Sequence, residues 1–87
     1  IAETPVPQRT SLEVLGHSVN FALSEASHVN IRVYDAAGKA VTTLVDGSRG
    51  PGSYTMDWNT SGVAAGVYFV RMITPEFNAT RKVMILH

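Results

Sequence analysis

His28-Val29-Asn30-Ile31-Arg32-Val33-Tyr34 decides the fold. Val29, Ile31 and Val33 alternate with Asn30, Arg32 and Tyr34. A two-residue period puts the apolar set on one face of a strand and the polar set on the other. A strand half-buried in this way needs sheet neighbours and a second layer to cover it. The next residues supply a neighbour. Asp35-Ala36-Ala37-Gly38-Lys39 reads as a tight connection, with Gly38 suited to positive φ. Residues 40–45 are rich in Val and Thr, which favour strands. Val41 and Leu44 break strict alternation and predict a bulge.

Working outward, the same period recurs. Leu12 and Val14 flank Glu13 in a short first strand, and residues 18–23 place Val19, Phe21 and Leu23 on one face. Residues 24–27 form the turn before His28. Downstream, residues 46–52 have the Asp, Gly, Ser and Pro content of a loop. Tyr54, Met56 and Trp58 then share a strand face, residues 59–65 form another loop, and residues 66–74 and 77–86 are the last two strands. No segment holds helical spacing. The expected fold is all-β, an immunoglobulin-like antiparallel β-sandwich of about seven strands, with a small barrel as the alternative. Val29, Ile31, Val33, Tyr54, Trp58, Tyr68 and Val70 are the expected core.

The chain has 87 residues, 45% hydrophobic and 16% charged, the profile of one globular domain. Residues 1–10, with Pro5 and Pro7, read as a linker, and residues 11–87 as the sandwich. Seven basic residues balance seven acidic ones. That neutrality argues against nucleic acid and against an anionic membrane surface. There is no cysteine, so disulfides, thiolate zinc sites and thiol catalysis are excluded. No apolar run approaches the roughly 18 residues of a membrane-spanning helix, so no membrane insertion is expected. The first residue is Ile1, not Met, which fits a fragment of a longer protein.

Candidate chemistry is sparse. His17, His28 and His87 are scattered, and terminal His87 is compatible with the start of an affinity tag. No converging group makes a nucleophile or a general base of any of them. Asp35, Asp46, Asp57 and Glu76 fall at turns or strand ends, without the Asp-x-Asp-x-Asp-Gly spacing of a calcium loop. Gly47, Gly50 and Gly52 are not followed by Gly-Lys-Ser/Thr, so no phosphate loop is read there. Asn59-Thr60-Ser61 and Asn78-Ala79-Thr80 match glycosylation sequons, short enough to arise by chance. Tyr34, Tyr54, Trp58, Tyr68 and Phe69 are interleaved with aliphatics, which favours a core role over a sugar-stacking platform. No catalytic residue, cofactor or metal site is expected.

The chain closes on Arg81-Lys82-Val83-Met84-Ile85-Leu86, a basic pair and four apolar residues where termini are usually polar and frayed. As structure this is a last strand; an edge strand there is also a natural handle for strand addition. Together with Val29 to Lys39, Val41, Leu44, Gly52, Tyr54, Trp58 and the run Ala65-Gly66-Val67-Tyr68-Phe69-Val70-Arg71-Met72, it resembles in order and spacing the C-terminal sorting domains of the bacterial type IX secretion system. These are similar in pattern to the immunoglobulin-like domain of the flagellar hook-capping protein. At the front, Pro5-Val6-Pro7 is similar to the family's Pro-Asn-Pro element without its Asn, and residues 8–16 carry no family signature.

The resemblance implies a secretion signal and not an enzyme. Such a domain ends a secreted cargo protein of a Bacteroidetes-type Gram-negative bacterium, folds in the periplasm and directs passage across the outer membrane. The implied partners are the outer-membrane translocation machinery, a sortase-like peptidase that removes the domain, and an upstream cargo domain in the same chain. The cargo is then released or attached to surface lipopolysaccharide. Arg81, Lys82, Val83, Met84, Ile85 and Leu86 are the expected sorting residues. Tyr34, Asp35, Gly38, Gly52, Tyr54, Trp58, Gly66, Val67 and Tyr68 carry the family pattern mainly as structure. Two other readings stand beside it: a structural spacer or assembly module, and a carbohydrate-binding accessory of a secreted glycoside hydrolase. A place at the end of the parent favours sorting, and an exposed planar row of Tyr or Trp favours sugar.

Overall fold

A computed structural model describes residues 7–86. The proposed Pro5 element, most of the proposed linker and His87 lie outside them. Seven strands follow one another: β1 (Ser11–Leu15), β2 (Ser18–Leu23), β3 (Ser27–Asp35), β4 (Ala40–Arg49), β5 (Gly52–Asp57), β6 (Gly66–Thr74) and β7 (Phe77–Ile85). Among the described residues there is no helix. Every pairing is antiparallel, in a three-stranded sheet ordered β1-β2-β5 and a four-stranded sheet ordered β4-β3-β6-β7. The expected sandwich is observed.

The core forms where the period-two faces of the two sheets meet. Val29, Ile31 and Val33 of β3, Val70 and Met72 of β6, and Val19 and Leu23 of β2 are fully buried. Each such aliphatic side chain contributes about 1.5–3 kcal/mol relative to exposure. Trp58, just past β5, is buried edge-on against Tyr68, with ring centroids 5.3 Å apart and planes at 74°. Its backbone N–H donates to the His17 carbonyl at 2.7 Å, which fixes the end of β5 to the β1–β2 turn. Tyr54 departs from expectation. It is half-buried at the rim, stacked on Phe21 directly opposite it, with centroids 4.9 Å apart. The Tyr68 hydroxyl donates to the Ala64 carbonyl at 2.6 Å and the Tyr54 hydroxyl to the Gly50 carbonyl at 2.7 Å. Both rings thus pin the chain four residues upstream while their bodies face apolar neighbours.

The bulge expected near Val41 and Leu44 is present, and it is double. Along β3–β4 the register slips between Ile31 and Arg32 and again between Val33 and Tyr34, so Leu44 and Val41 are the residues without a partner. Residues 46–52 are not a loop throughout. β4 runs on to Arg49, with Asp46, Gly47, Ser48 and Arg49 opposite Asn30, Val29, His28 and Ser27, and only Gly50 and Pro51 separate it from β5. Their turn-like composition is overridden by ladder partners already aligned on β3. At the other end of β3, Asp35 Oδ1 accepts from the N–H groups of Ala37 and Lys39 (3.0 and 2.9 Å). Gly38 sits in that turn at φ 88°, a conformation a side chain would strain.

Candidate functional site

The last hairpin places the expected sorting residues. β7 pairs with β6 over its whole nine-residue length without a slip, from Thr74–Phe77 to Gly66–Ile85. The buried Thr74 hydroxyl donates to the Phe77 carbonyl at 3.3 Å and closes the connection. On its other side β7 has no strand partner, so it is an edge of the four-stranded sheet. Alternation then divides the terminal residues. Val83 and Ile85 point into the core and are buried, while Met84 is 57% and Leu86, one residue past the strand, 77% exposed. Large apolar side chains this exposed beside an open edge offer both hydrogen-bonding groups and anchors to an incoming strand.

The basic pair divides as well. Lys82 lies on the outer face, opposite Phe69, and is exposed. Arg81 points the other way, and its Nε donates to the Leu12 carbonyl at 3.1 Å, with a second bond from Nη1 to the Thr80 carbonyl at 3.2 Å. Arg81 therefore ties β7 to β1 across the edge of the sandwich.

The residues of the family pattern are dispersed through the sandwich. Asp35 and Gly38 make the β3–β4 turn, and Gly52 and Gly66 open β5 and β6. Tyr68 and Trp58 fill the core with Tyr54 at its rim, and Val67 lies on the outer face opposite Met84. The aromatics split in a way sequence alone did not show. Tyr34 and Phe69, half-buried, stand opposite one another on the outer face of the four-stranded sheet. The buried Trp58 and Tyr68 make no planar exposed row of the kind that stacks on sugar rings.

Two exposed histidine–aspartate pairs occur, His28 Nε2 to Asp46 Oδ1 at 3.1 Å and His17 Nδ1 to Asp57 Oδ1 at 3.8 Å. Neither imidazole has a hydroxyl partner among the described residues. Among the described residues no three His, Asp or Glu side chains converge as a metal site.

A family model described as a secretion system C-terminal sorting domain matches residues 5–86, nearly the whole chain. A search of curated proteins finds no match. An all-β sandwich whose last strand is a sheet edge, matched over almost its entire length, the chain belongs to the C-terminal sorting domains of the type IX secretion system, the signal by which that machinery delivers a protein to the cell surface or the medium.

Proposed function

We propose that the open half of β7 carries a large share of the sorting information, with Met84 and Leu86 as side-chain anchors, Lys82 as the steering charge, and Val83 and Ile85 holding the strand in place. The observation behind this is the regular, bulge-free edge at β7 with two large apolar side chains left outside the core. Arg81 serves by clasping β1 so that the edge is presented rigidly. Residues 1–10 form the linker to an upstream cargo domain, and the sandwich, residues 11–87, folds in the periplasm before it meets the outer-membrane translocation machinery. A sortase-like peptidase then separates the domain from its cargo.

The test fuses the domain behind a fluorescent reporter carrying a Sec signal, in a type IX-competent host. The intact fusion reaches the surface or the medium. A truncation ending at Arg81 stays in the periplasm, but it also removes the buried Val83 and Ile85, so unfolding alone would explain that result. Met84→Glu with Leu86→Glu separates the two, because both positions are exposed and the core is untouched. Export of this folded double variant at the parental level would sink the reading.

A further inference from the structure

The four-stranded sheet has an outer face whose centre, on β3 and β6, neither the core nor the β7 edge uses. Register places Arg32 directly opposite Arg71, and in the next row Tyr34, Phe69 and Lys82 side by side. Directly opposed side chains have Cβ atoms about 4.5–5.5 Å apart, and like charges in that position are destabilising. Among the described residues no carboxylate forms an ion pair with either arginine. Neither arginine nor Lys82 makes an ion pair or side-chain hydrogen bond among the described residues.

Among the described residues most acidic side chains lie elsewhere. Glu13 and Asp57 are on the other sheet, and Glu25 and Glu76 are in turns. Asp46 shares the face on β4, hydrogen-bonded to His28, and Asp35 accepts from two backbone N–H groups. Arg32, Arg71 and Lys82 outnumber these two carboxylates, so the face is net cationic. At Arg71 an open groove of about 490 Å³ is lined by Tyr34, Asp35, Phe69, Arg71 and Thr80.

We infer that this face docks an acidic protein segment. Arg32 and Arg71 clamp its carboxylates, and Tyr34 and Phe69 receive the apolar side chains between them. A guanidinium pairs with a carboxylate through two parallel hydrogen bonds, and an opposed pair offers two such forks at one spot. A single-stranded nucleic acid would also stack on sheet aromatics, but it needs a basic stripe along its phosphates. Here the cations converge on one point. The inference rests on the sorting reading only in that the export machinery is where such a segment would be met; docking itself is independent of export.

Fluorescence anisotropy with a labelled peptide alternating Glu and Leu tests it on the present chain. The peptide binds, and binding weakens as salt rises. Arg32→Gln with Arg71→Gln weakens it by about tenfold or more, since each removes a charged hydrogen-bonding partner. Arg9→Gln with Arg49→Gln, the same charge lost away from the face, leaves it within about twofold. The first variant melts no lower than the parent, because it relieves repulsion. Four results overturn the inference: no binding, equal loss in both double variants, tighter binding of a single-stranded oligonucleotide, or a lowered melting temperature for the Arg32/Arg71 variant. Met84→Gln with Leu86→Gln, which removes both apolar anchors without adding charge to the face that Met84 shares, leaves peptide binding intact, so failure at β7 and failure at this face are read separately.

Discussion

β4 and β7 are the two edges of one sheet, and they are finished in opposite ways. β4 is longer, but two unpaired residues, Val41 and Leu44, interrupt its ladder, and a bulged strand bends and twists away from any flat partner. β7 runs nine residues in register. Its middle carries Arg81 and Lys82, charges that commonly guard edges, but the guard stops at residue 82 and the next four residues are apolar. One edge is interrupted over its first half and the other is regular to its end and open over its last residues. The comparison teaches that within this sheet the regular edge and the bulged edge differ in what they leave available, and only β7 combines unbroken register with exposed apolar side chains.

The comparison breaks most visibly if the two edges prove equally anchored. Ile85→Ala on β7 removes a buried side chain and is expected to cost about 2–4 kcal/mol. Val41→Ala, at a bulge where the side chain is 40% exposed, should cost under about 0.5 kcal/mol. Urea denaturation of both, at matched slopes, decides it; similar midpoints would show that the bulge is packed as firmly as the open strand.

The entry into β4 is sharpened next. Gly38→Ala puts a side chain at φ 88° and is expected to cost about 1–2 kcal/mol, seen as a lower thermal midpoint. No shift would mean the turn has relaxed and that the bulged edge does not depend on it.

A smaller effect separates the two basic residues of β7. Arg81→Ala removes the bond to the Leu12 carbonyl and should cost about 1 kcal/mol. Lys82→Ala, which breaks no bond, should stay within about 0.5 kcal/mol. Equal losses would return Arg81 to the role of an ordinary surface charge. The smallest effect belongs to Met84→Glu with Leu86→Glu, expected within about 0.5 kcal/mol of the parent per site, even though export is lost. A large destabilisation would show these side chains to be packed after all.

Much of the sandwich was legible because β3 alternates strictly and β2 nearly so, and period two leaves little choice of face. The bulges were legible for the complementary reason, that Val41 and Leu44 violate the period. What composition hid was settled by partners. Asp46, Gly47 and Ser48 read as a turn and yet pair with Asn30, Val29 and His28, because an aligned strand offers their backbone better hydrogen bonds than water does. The family pattern was legible as ordered short motifs. The fate of Arg81 was not, since its partner is 69 positions away. The opposition of Arg32 and Arg71 was equally hidden, because it follows from register between strands separated by two others in sequence.

The bond from Arg81 to Leu12 also bears on when the domain becomes whole. Strands emerge from synthesis in order, and β1 has its partner β2 almost at once. The clasp to β1 must wait for the final strand, which arrives together with Val83 and Ile85. Closing so long a loop adds little further entropic cost per residue, but no local contact can substitute for it. A chain cut short before β7 lacks the clasp, two core side chains and the outward pair Met84 and Leu86 all together. Met84 and Leu86 are therefore displayed on a closed sandwich only once β7 has arrived and folding has followed.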